Sequence, residues 1–321
     1  MPGVDFTVTN YLVPMIRRTA SLAKTNGLLT DEDLIAFAND ELQRTVVPLI
    51  QKAREEYFVH YIDIPFEAGR SRYTIPVRGI ASQLRDVLLT DGNQALYSVP
   101  RLDPALMGAS DFTGPYNVST GVLGQGFYLQ DNEIIFWPAP VASNATYIRL
   151  SYFRRPNDLI ENADAAVVTN VNTGTGVITF AARPTGSVVG SELDSIAADS
   201  PFVSKINGAV VTAATATTVT VATDTEGLDE LEVGDWMALA GTSPIPQIIR
   251  EAQPLLAQAV SVRALIAKKD KDGAMMAQGL LAQQRAELLE QLSPRVEGEP
   301  KKMVNPYSLF RRSGRFGQRG F

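Results

Sequence analysis

The spacing of apolar residues changes twice along the chain, and this change most constrains the fold. At both ends apolar residues recur every three or four positions, which is the spacing of one face of a helix. Between residues 61 and 243 they occur in short alternating runs separated by Gly, Pro and Asn, which is typical of antiparallel strands. The sequence therefore predicts an α+β protein, a helical bundle of N- and C-terminal helices with two inserted antiparallel β modules, because neither helix set could bury its apolar face alone.

Two helices are predicted within residues 1–60. The first is short and amphipathic and covers residues 11–24, while the second runs from about 31 to 58 with a kink at Pro48. We expect Thr30 to cap the second helix, because acidic residues follow it at the positive end of the helix dipole.

The first β module is predicted over residues 61–160. Its strands are expected at 61–66, 72–78, 83–89, 95–99, 126–130, 133–137 and 145–153. Asp91-Gly92 is a strong hairpin turn signal between the third and fourth of these strands, and Asp131-Asn132 predicts a second hairpin between 126–130 and 133–137. The many Gly, Pro and Ser residues in 103–126 predict a long loop.

The second β module is predicted over residues 161–243, because residues 165–243 are rich in Ala, Thr, Val and Gly and poor in Lys and Arg. Its strands are expected at 167–171, 177–180, 209–212, 218–221 and 233–239.

The C-terminal helices are predicted over residues 244–298, followed by an arm at 299–321. Ser243 and Pro244 have the pattern of a helix cap and first turn, so we expect the first helix to begin there. A break is predicted at 268–273, and a second helix is expected to run from Met275 to Leu292. Its inward residues are predicted to be Leu280, Leu281, Leu288 and Leu289.

Charge is divided unevenly between the body of the chain and its C-terminal end. The whole chain has a net charge of −6 at pH 7. Residues 301–321 contain six basic residues and no acidic one, so this end carries +6 and residues 1–300 carry −12. The division predicts an acidic body with a basic arm that binds an acidic surface or a phosphate backbone.

The arm combines its basic residues with aromatic ones. The predicted contact residues are Lys301, Lys302, Tyr307, Phe310, Arg311, Arg312, Arg315, Phe316, Arg319 and Phe321. Docking on a protein partner is the favoured interpretation, with aromatic anchors and with arginines on acidic sites. The alternatives are nucleic-acid binding through phosphates and base stacking, and a merely solvated terminus.

Enzymatic chemistry has few candidate residues. The chain has no cysteine, which excludes disulfides, thiolate catalysis and cysteine-ligated metals and fits assembly in a reducing cytoplasm. Its single histidine, His60, is the only possible base of a Ser-His-Asp triad, and we interpret it as a packed or surface residue. No secretion signal and no apolar run of roughly 18 residues is present, so no membrane contact is expected.

Other motifs have structural interpretations that we prefer. The acids of Asp31–Asp33 and Asp40–Glu41 fit helix positions better than paired catalytic carboxylates. The stretch Asp270–Gly273 is similar to part of a calcium loop but lacks the downstream Glu, so an inter-helix turn is expected. Gly121–Gly126 does not have the spacing of a dinucleotide loop. We therefore predict no catalytic residue, no cofactor and no metal site.

Short stretches along the chain carry a family resemblance. They are Ile16–Arg18, Thr30–Ile35, Val47–Pro48, Arg54–Phe58, Tyr73–Arg78, Leu84–Val87, Gly234–Trp236, Ala240–Pro244, Ser293–Lys301 and Ser308–Arg311. Through them the chain resembles the head-to-tail connector, or portal adaptor, proteins of short-tailed and related bacteriophages. The resemblance spans most of the chain outside the second β module.

This resemblance implies a virion structural protein of the neck that is assembled in the host cytoplasm and is not an enzyme. It implies a helical bundle with an inserted β domain, a ring of copies of the chain, typically twelve, under the portal, and a C-terminal arm that grips the portal protein. The further partners implied are tail or nozzle proteins, and double-stranded DNA that passes through the channel without specific binding during ejection. An acidic body suits such a conduit, because a negative wall does not hold the duplex.

Three alternatives remain open at this stage. A tail-tube or nozzle protein would be mostly β, and the helix-rich ends argue against it. A virion-associated hydrolase would need two carboxylates that converge in one pocket. A nucleic-acid binder would lose affinity steeply as salt rises.

Overall fold

The computed structural model describes residues 5–23, 29–91, 95–103, 126–137 and 145–292. The N-terminal helical region begins with a wide π-type turn at Val8–Leu12, which continues directly into helix α1, Val13–Thr19. The predicted helix at 11–24 therefore starts three residues earlier and ends five residues sooner.

Helix α2, Asp31–Glu41, begins at the predicted cap. The Thr30 hydroxyl accepts a hydrogen bond from the Asp33 backbone N–H at 3.1 Å, and the Asp33 carboxylate accepts one from the Thr30 N–H at 2.9 Å. This reciprocal pair satisfies two of the backbone donors that every helix start leaves free.

The expected single helix to residue 58 is wrong in detail. A π-type segment at Leu42–Val46 separates α2 from helix α3, Val47–Ala53, and a 3₁₀ turn follows at Glu55–Phe58. Pro48 lies in the first turn of α3, where a missing N–H costs little. The wider turn before it relieves the contact between a proline ring and the carbonyl group four residues earlier.

Helix α4, Gln253–Ala267, and helix α5, Lys271–Leu292, form the C-terminal helical region. Almost every residue of α4 from Gln253 to Leu265 is buried, because α1, α2 and α5 all pack on it. A side chain of α4 also bonds to a neighbouring helix, because the Gln258 amide donates to the Ala277 carbonyl of α5 at 2.8 Å. Helices from both ends of the chain thus share one hydrophobic core.

In the described residues of the first β region there are seven strands: β1 (Val59–Pro65), β2 (Arg72–Thr74), β3 (Gly79–Thr90), β4 (Ala95–Ser98), β5 (Gly126–Gln130), β6 (Glu133–Trp137) and β7 (Tyr147–Arg154). They make two antiparallel sheets, ordered β1-β7-β3-β4 and β2-β6-β5. The two hairpins predicted from turn signals are present as β3–β4 and β5–β6. Buried residues of both sheets share one core, with Tyr73, Phe136 and Ile148 among its largest side chains. We call this region the sheet module.

Six later strands close into a barrel: β9 (Ala166–Asn172), β10 (Val177–Phe180), β11 (Glu192–Ile196), β12 (Ala209–Ala214), β13 (Thr218–Val221) and β14 (Trp236–Leu239). Their order around the barrel is β10-β13-β12-β11-β14-β9. The sequence missed β11, because its centre places Asp194 and Ser195 in buried positions where alternation predicts apolar residues. Without β11 the barrel could not be predicted to close.

The two ends of the barrel segment are held side by side. Strands β8 (Asp158–Leu159) and β15 (Thr242–Ser243) pair in parallel just before and just after the barrel. The predicted helix start at Ser243 and Pro244 is therefore wrong. The Ser243 hydroxyl accepts from the Ile245 N–H at 3.0 Å in a local turn, and α4 begins only at Gln253, with Pro254 in its first turn.

Helix α5 corrects a second expectation. Leu288 is buried and Leu281 and Leu289 are partly buried, but Leu280 is 54% exposed. Of the described elements, only α3 and α4 pack substantially on α5, so the face that carries Leu280 is left exposed together with Met275 and Met276. The predicted break before α5 is present but shorter than 268–273, because α5 begins at Lys271. Lys269 has a φ of +63°, and Asp270 accepts a hydrogen bond from the Gly273 N–H at 2.9 Å in the first turn of the helix.

Two glycines of the barrel region allow two energetic costs of a substitution to be compared, that of a left-handed backbone and that of a steric clash. Gly176 has a φ of +66°, and a Cβ there would collide with the Val221 carbonyl, whereas Gly190 has a φ of +88° and no atom within 4 Å. We expect Gly190→Ala to lower the free energy of unfolding by about 1–2 kcal/mol, because a residue with a Cβ disfavours the left-handed backbone conformation. Gly176→Ala should cost at least about 2 kcal/mol more, because the paired strands must move apart. Urea unfolding curves measure both, and equal losses would contradict the packing argument.

Candidate functional site

A buried carboxylate lies where the sheet module, the barrel and the β8–β15 pair meet. Asp194 of β11 has a relative exposure of 0%. Its Oδ2 lies 2.7 Å from the Arg78 guanidinium and 3.6 Å from that of Arg154. Its remaining hydrogen bonds come from Asn157 Nδ2 at 2.8 Å, Gly241 N at 2.9 Å and Gly208 N at 2.8 Å. One side chain thus joins the loop before β3, the end of β7, the barrel and the β8–β15 pair.

Burial makes this cluster sensitive to the loss of any member. Arg154 is only 8% exposed and also donates to Asn157 and Asn207. Burial lowers the pKa of Arg154, and the charge of Asp194 works in the opposite direction. Removing one partner of a buried ion pair leaves an uncompensated charge, which costs far more than an exposed salt bridge contributes.

His60 lies beside this cluster on β1. Its ring packs edge-on against Tyr152 at 5.8 Å between ring centroids. Burial is the main cause that lowers the pKa of His60 to about 4, and the positive charges of Arg154 and Arg78 contribute to the same shift. A general base works best with a pKa near the working pH, so this environment fits a packed neutral ring better than a catalytic one.

Two cavities flank His60 and Arg154. The larger, which we call the junction groove, has a volume of about 760 Å³ and lies between Tyr61, Ile62 and Val77 of the sheet module and Glu192 and Val210 of the barrel. The smaller has about 220 Å³ and is lined by Tyr57, Phe202 and other residues. The junction of the two β regions is therefore recessed and accessible.

The carboxylates that the sequence singled out have structural roles. Asp31 pairs with Arg17 at 2.5 Å, and Asp40 pairs with Arg263 of α4 at 2.9 Å. The hydrogen bond from the Thr30 backbone lowers the pKa of Asp33. Each acid thus stabilises a helix end or a contact between helices. Of the glycine-rich stretch 121–126, only Gly126 is described, and it begins β5.

An acidic loop of the barrel, Asp224–Glu232, is the place where a hydrolase could assemble carboxylates. Its residues Asp224, Glu226, Asp229 and Glu230 line a cavity of about 360 Å³, and all four are exposed. A general acid needs an enclosed, apolar environment to raise its pKa, which an exposed loop does not provide. Within the described ranges, no group of three or more His, Asp or Glu side chains could hold a metal ion.

The predicted contact residues of the arm lie outside the described residues, as does all of 293–321. Among the helices that the structure does describe, none has the length and hydrophobicity to cross a bilayer.

The sequence interpretation missed the cluster around Asp194. Arg78 belongs to a stretch that carried the family resemblance, but nothing in it indicates a buried partner. An aspartate at the centre of the run Leu193–Ile196 was a usable signal, because a carboxylate inside a strand with apolar neighbours needs compensation. Its side-chain partners are 37 to 116 residues away in sequence, and only the fold brings them together.

Asp194→Ala should lower the free energy of unfolding by about 3–5 kcal/mol, because Arg154 would stay buried without a counter-charge. Asp199→Ala is the matched control, since Asp199 is an exposed acid of the same region and should change stability by no more than about 0.5 kcal/mol. Chemical denaturation of both variants tests this, and similar stabilities would show that the cluster is dispensable.

Because the chain has one histidine, its imidazole can be followed alone. We expect an NMR titration to give His60 a pKa of about 4 in the folded protein, against 6.5 for an unperturbed histidine. Between these two pH values the unfolded chain binds more protons than the folded protein. The contribution of His60 to folding stability is therefore fully present above pH 6.5 and is lost as the pH falls to 4. His60→Gln should flatten this part of the stability profile. A titration midpoint near 6.5 would contradict the buried environment.

Comparison with known proteins identifies the family. The family model described as SU10 adaptor protein matches residues 13–182, which is more than half of the chain. The match covers α1 to α3, the sheet module and the first hairpin of the barrel. A search of curated proteins found no match. The resemblance to phage adaptors is thereby confirmed, and the chain belongs to the SU10 adaptor protein family of bacteriophage head-to-tail adaptors, a family of structural proteins.

Proposed function

We propose that the protein forms a ring that docks under the portal, continues the DNA conduit and carries the attachment site for the tail. The observation that carries the proposal is the separation of charge in a member of the adaptor family. The arm at 301–321 carries +6, while the 1–300 body carries −12. An adaptor has to hold one partner firmly while DNA passes without being retained, and separated charges serve both requirements.

Most of the negative charge belongs to the barrel segment. Residues 161–243 contain eleven acidic and two basic residues, a net charge of −9. Several of these acids are exposed on the Asp224–Glu232 loop. A surface of this charge repels the phosphate backbone at short range, which supports a place for the barrel along or near the path of the DNA.

Ring assembly is supported by the outer face of α5. Met275 is 72% exposed, Met276 76% and Leu280 54%. Exposed apolar side chains grouped on one helix face commonly mark a protein contact, and a head-to-tail contact between copies closes into a ring when the rotation permits. We propose that the helices of residues 11–58 and 244–292 form the bundle that makes these subunit contacts, in twelve copies.

The arm provides the proposed portal contact. Its arginines at 311, 312 and 315 would pair with acidic sites, while Phe310, Phe316 and Phe321 would fill apolar pockets. Ordering such a segment costs free energy, which aromatic anchors offset with little loss of side-chain freedom. The β regions then remain available to tail or nozzle proteins.

Co-sedimentation with purified portal rings tests this function. We expect the full chain to sediment with the rings and the chain truncated after Glu299 to remain in solution. A full-length variant with the arm's six basic residues changed to Gln keeps the length of the arm but removes its charge. It should bind the rings at least tenfold more weakly than the unmodified chain. If the truncated and full chains bind equally, the arm does not hold the portal. If neither binds, the portal-facing role is wrong.

A further inference from the structure

The junction groove exposes apolar side chains that the described part of the chain leaves uncovered. Val77 is 85% exposed, Val210 50%, Tyr61 48% and Ile62 40%, and all four line the groove. They come from both walls, since Val210 belongs to the barrel and the other three to the sheet module. An apolar surface gathered inside a recess is a typical binding surface for an aromatic or aliphatic anchor.

The charges left unpaired in this groove are negative. Its cationic side chains already have acidic partners. Arg78 and Arg154 form ion pairs with Asp194, and Lys205 forms ion pairs with Asp235 at 2.9 Å and Glu232 at 3.1 Å. By contrast, Glu192, Glu226 and Glu230 are exposed and lie more than 4 Å from every cationic side chain in the described part of the chain. The groove therefore favours an occupant that brings its own positive charge.

One wall also offers a backbone edge. Strand β1 lies at the end of the order β1-β7-β3-β4, and its residues His60, Tyr61 and Ile62 line the groove. An edge strand presents backbone N–H and C=O groups to an extended segment, which can add to the sheet. An occupant that is extended, cationic and rich in aromatic residues would use all three features.

We propose that the junction groove holds the C-terminal arm of the same molecule, residues 301–321, before the adaptor binds the portal. This segment has four aromatic residues, six basic residues and no acidic one. It follows α5, which ends at Leu292, so an extended linker of eight residues reaches roughly 26–29 Å before the arm begins. The aromatic residues would cover Tyr61, Ile62 and Val77, and the arginines would lie on the unpaired glutamates.

The contact has a consequence for assembly that rests on the proposed function. An arm held on its own body is withheld from other acidic or apolar surfaces in the host cell. The portal must then compete with the groove, so arm release and portal binding are coupled. The groove contact itself requires no portal, and it can be tested without one.

The single histidine is a reporter for this contact, because His60 lines the groove. The chain has no cysteine, so Ser313→Cys in the full-length protein places one nitroxide spin label on the arm. We expect the label to broaden the His60 imidazole resonances, and chemical reduction of the nitroxide to restore them. If the His60 resonances have the same width with oxidised and reduced label, the arm does not occupy the groove.

Two further samples decide what holds the arm and from which molecule. In the labelled chain, Glu226→Gln with Glu230→Gln should reduce the broadening at least twofold, whereas Glu55→Gln with Asp164→Asn removes the same charge outside the groove and should leave it unchanged. Equal effects of the two double variants would overturn the groove assignment.

A mixture of spin-labelled chain with isotope-labelled, unmodified chain should show no broadening, and broadening there would overturn docking within one molecule. Portal co-sedimentation is a separate measurement, so either proposal can fail alone.

Discussion

The contact between Asp194 and two arginines determines how the β regions of this protein sit on one another. The parallel β8–β15 pair and a small apolar cluster of Phe6, Ile196, Phe202 and Ile245 also hold the barrel segment to the rest of the chain. Asp194 adds the contacts to the sheet module, because it binds Arg78 and Arg154 there as well as the Gly241 backbone at the barrel exit. Because the carboxylate is fully buried, each of these contacts is needed to compensate its charge.

This constraint also creates the surface on which the further proposal depends. Fixing the barrel against β1 produces a groove whose cations are already paired and whose exposed acids make no ion pair within the described part of the chain. The same barrel carries most of the negative charge of the body, so its orientation sets where that charge is presented. In an adaptor, the electrostatic properties proposed for the conduit would thus follow from a buried ion-pair cluster rather than from exposed residues alone.

Local signals in the sequence predicted local structure well. The cap at Thr30, the hairpins β3–β4 and β5–β6 and the break before α5 each depend on residues that are neighbours in sequence. The Ser243-Pro244 pattern failed for the opposite reason. Its residues suit a helix start, but pairing with β8, more than eighty residues earlier, satisfies the same backbone groups in a strand. A distant partner overrode a local preference.

By itself, the sequence determined the helix-rich ends, the β-rich middle, the separation of charge and the adaptor family, because periodicity, composition and motifs are properties of the chain. Only the tertiary structure decided that the second β region closes into a barrel, that Asp194 has two arginine partners, and that Leu280 faces solvent. The physical reason is the same in each case. Barrel closure, charge compensation and burial depend on which residues distant in sequence come into contact. A linear pattern of residue types does not specify those contacts.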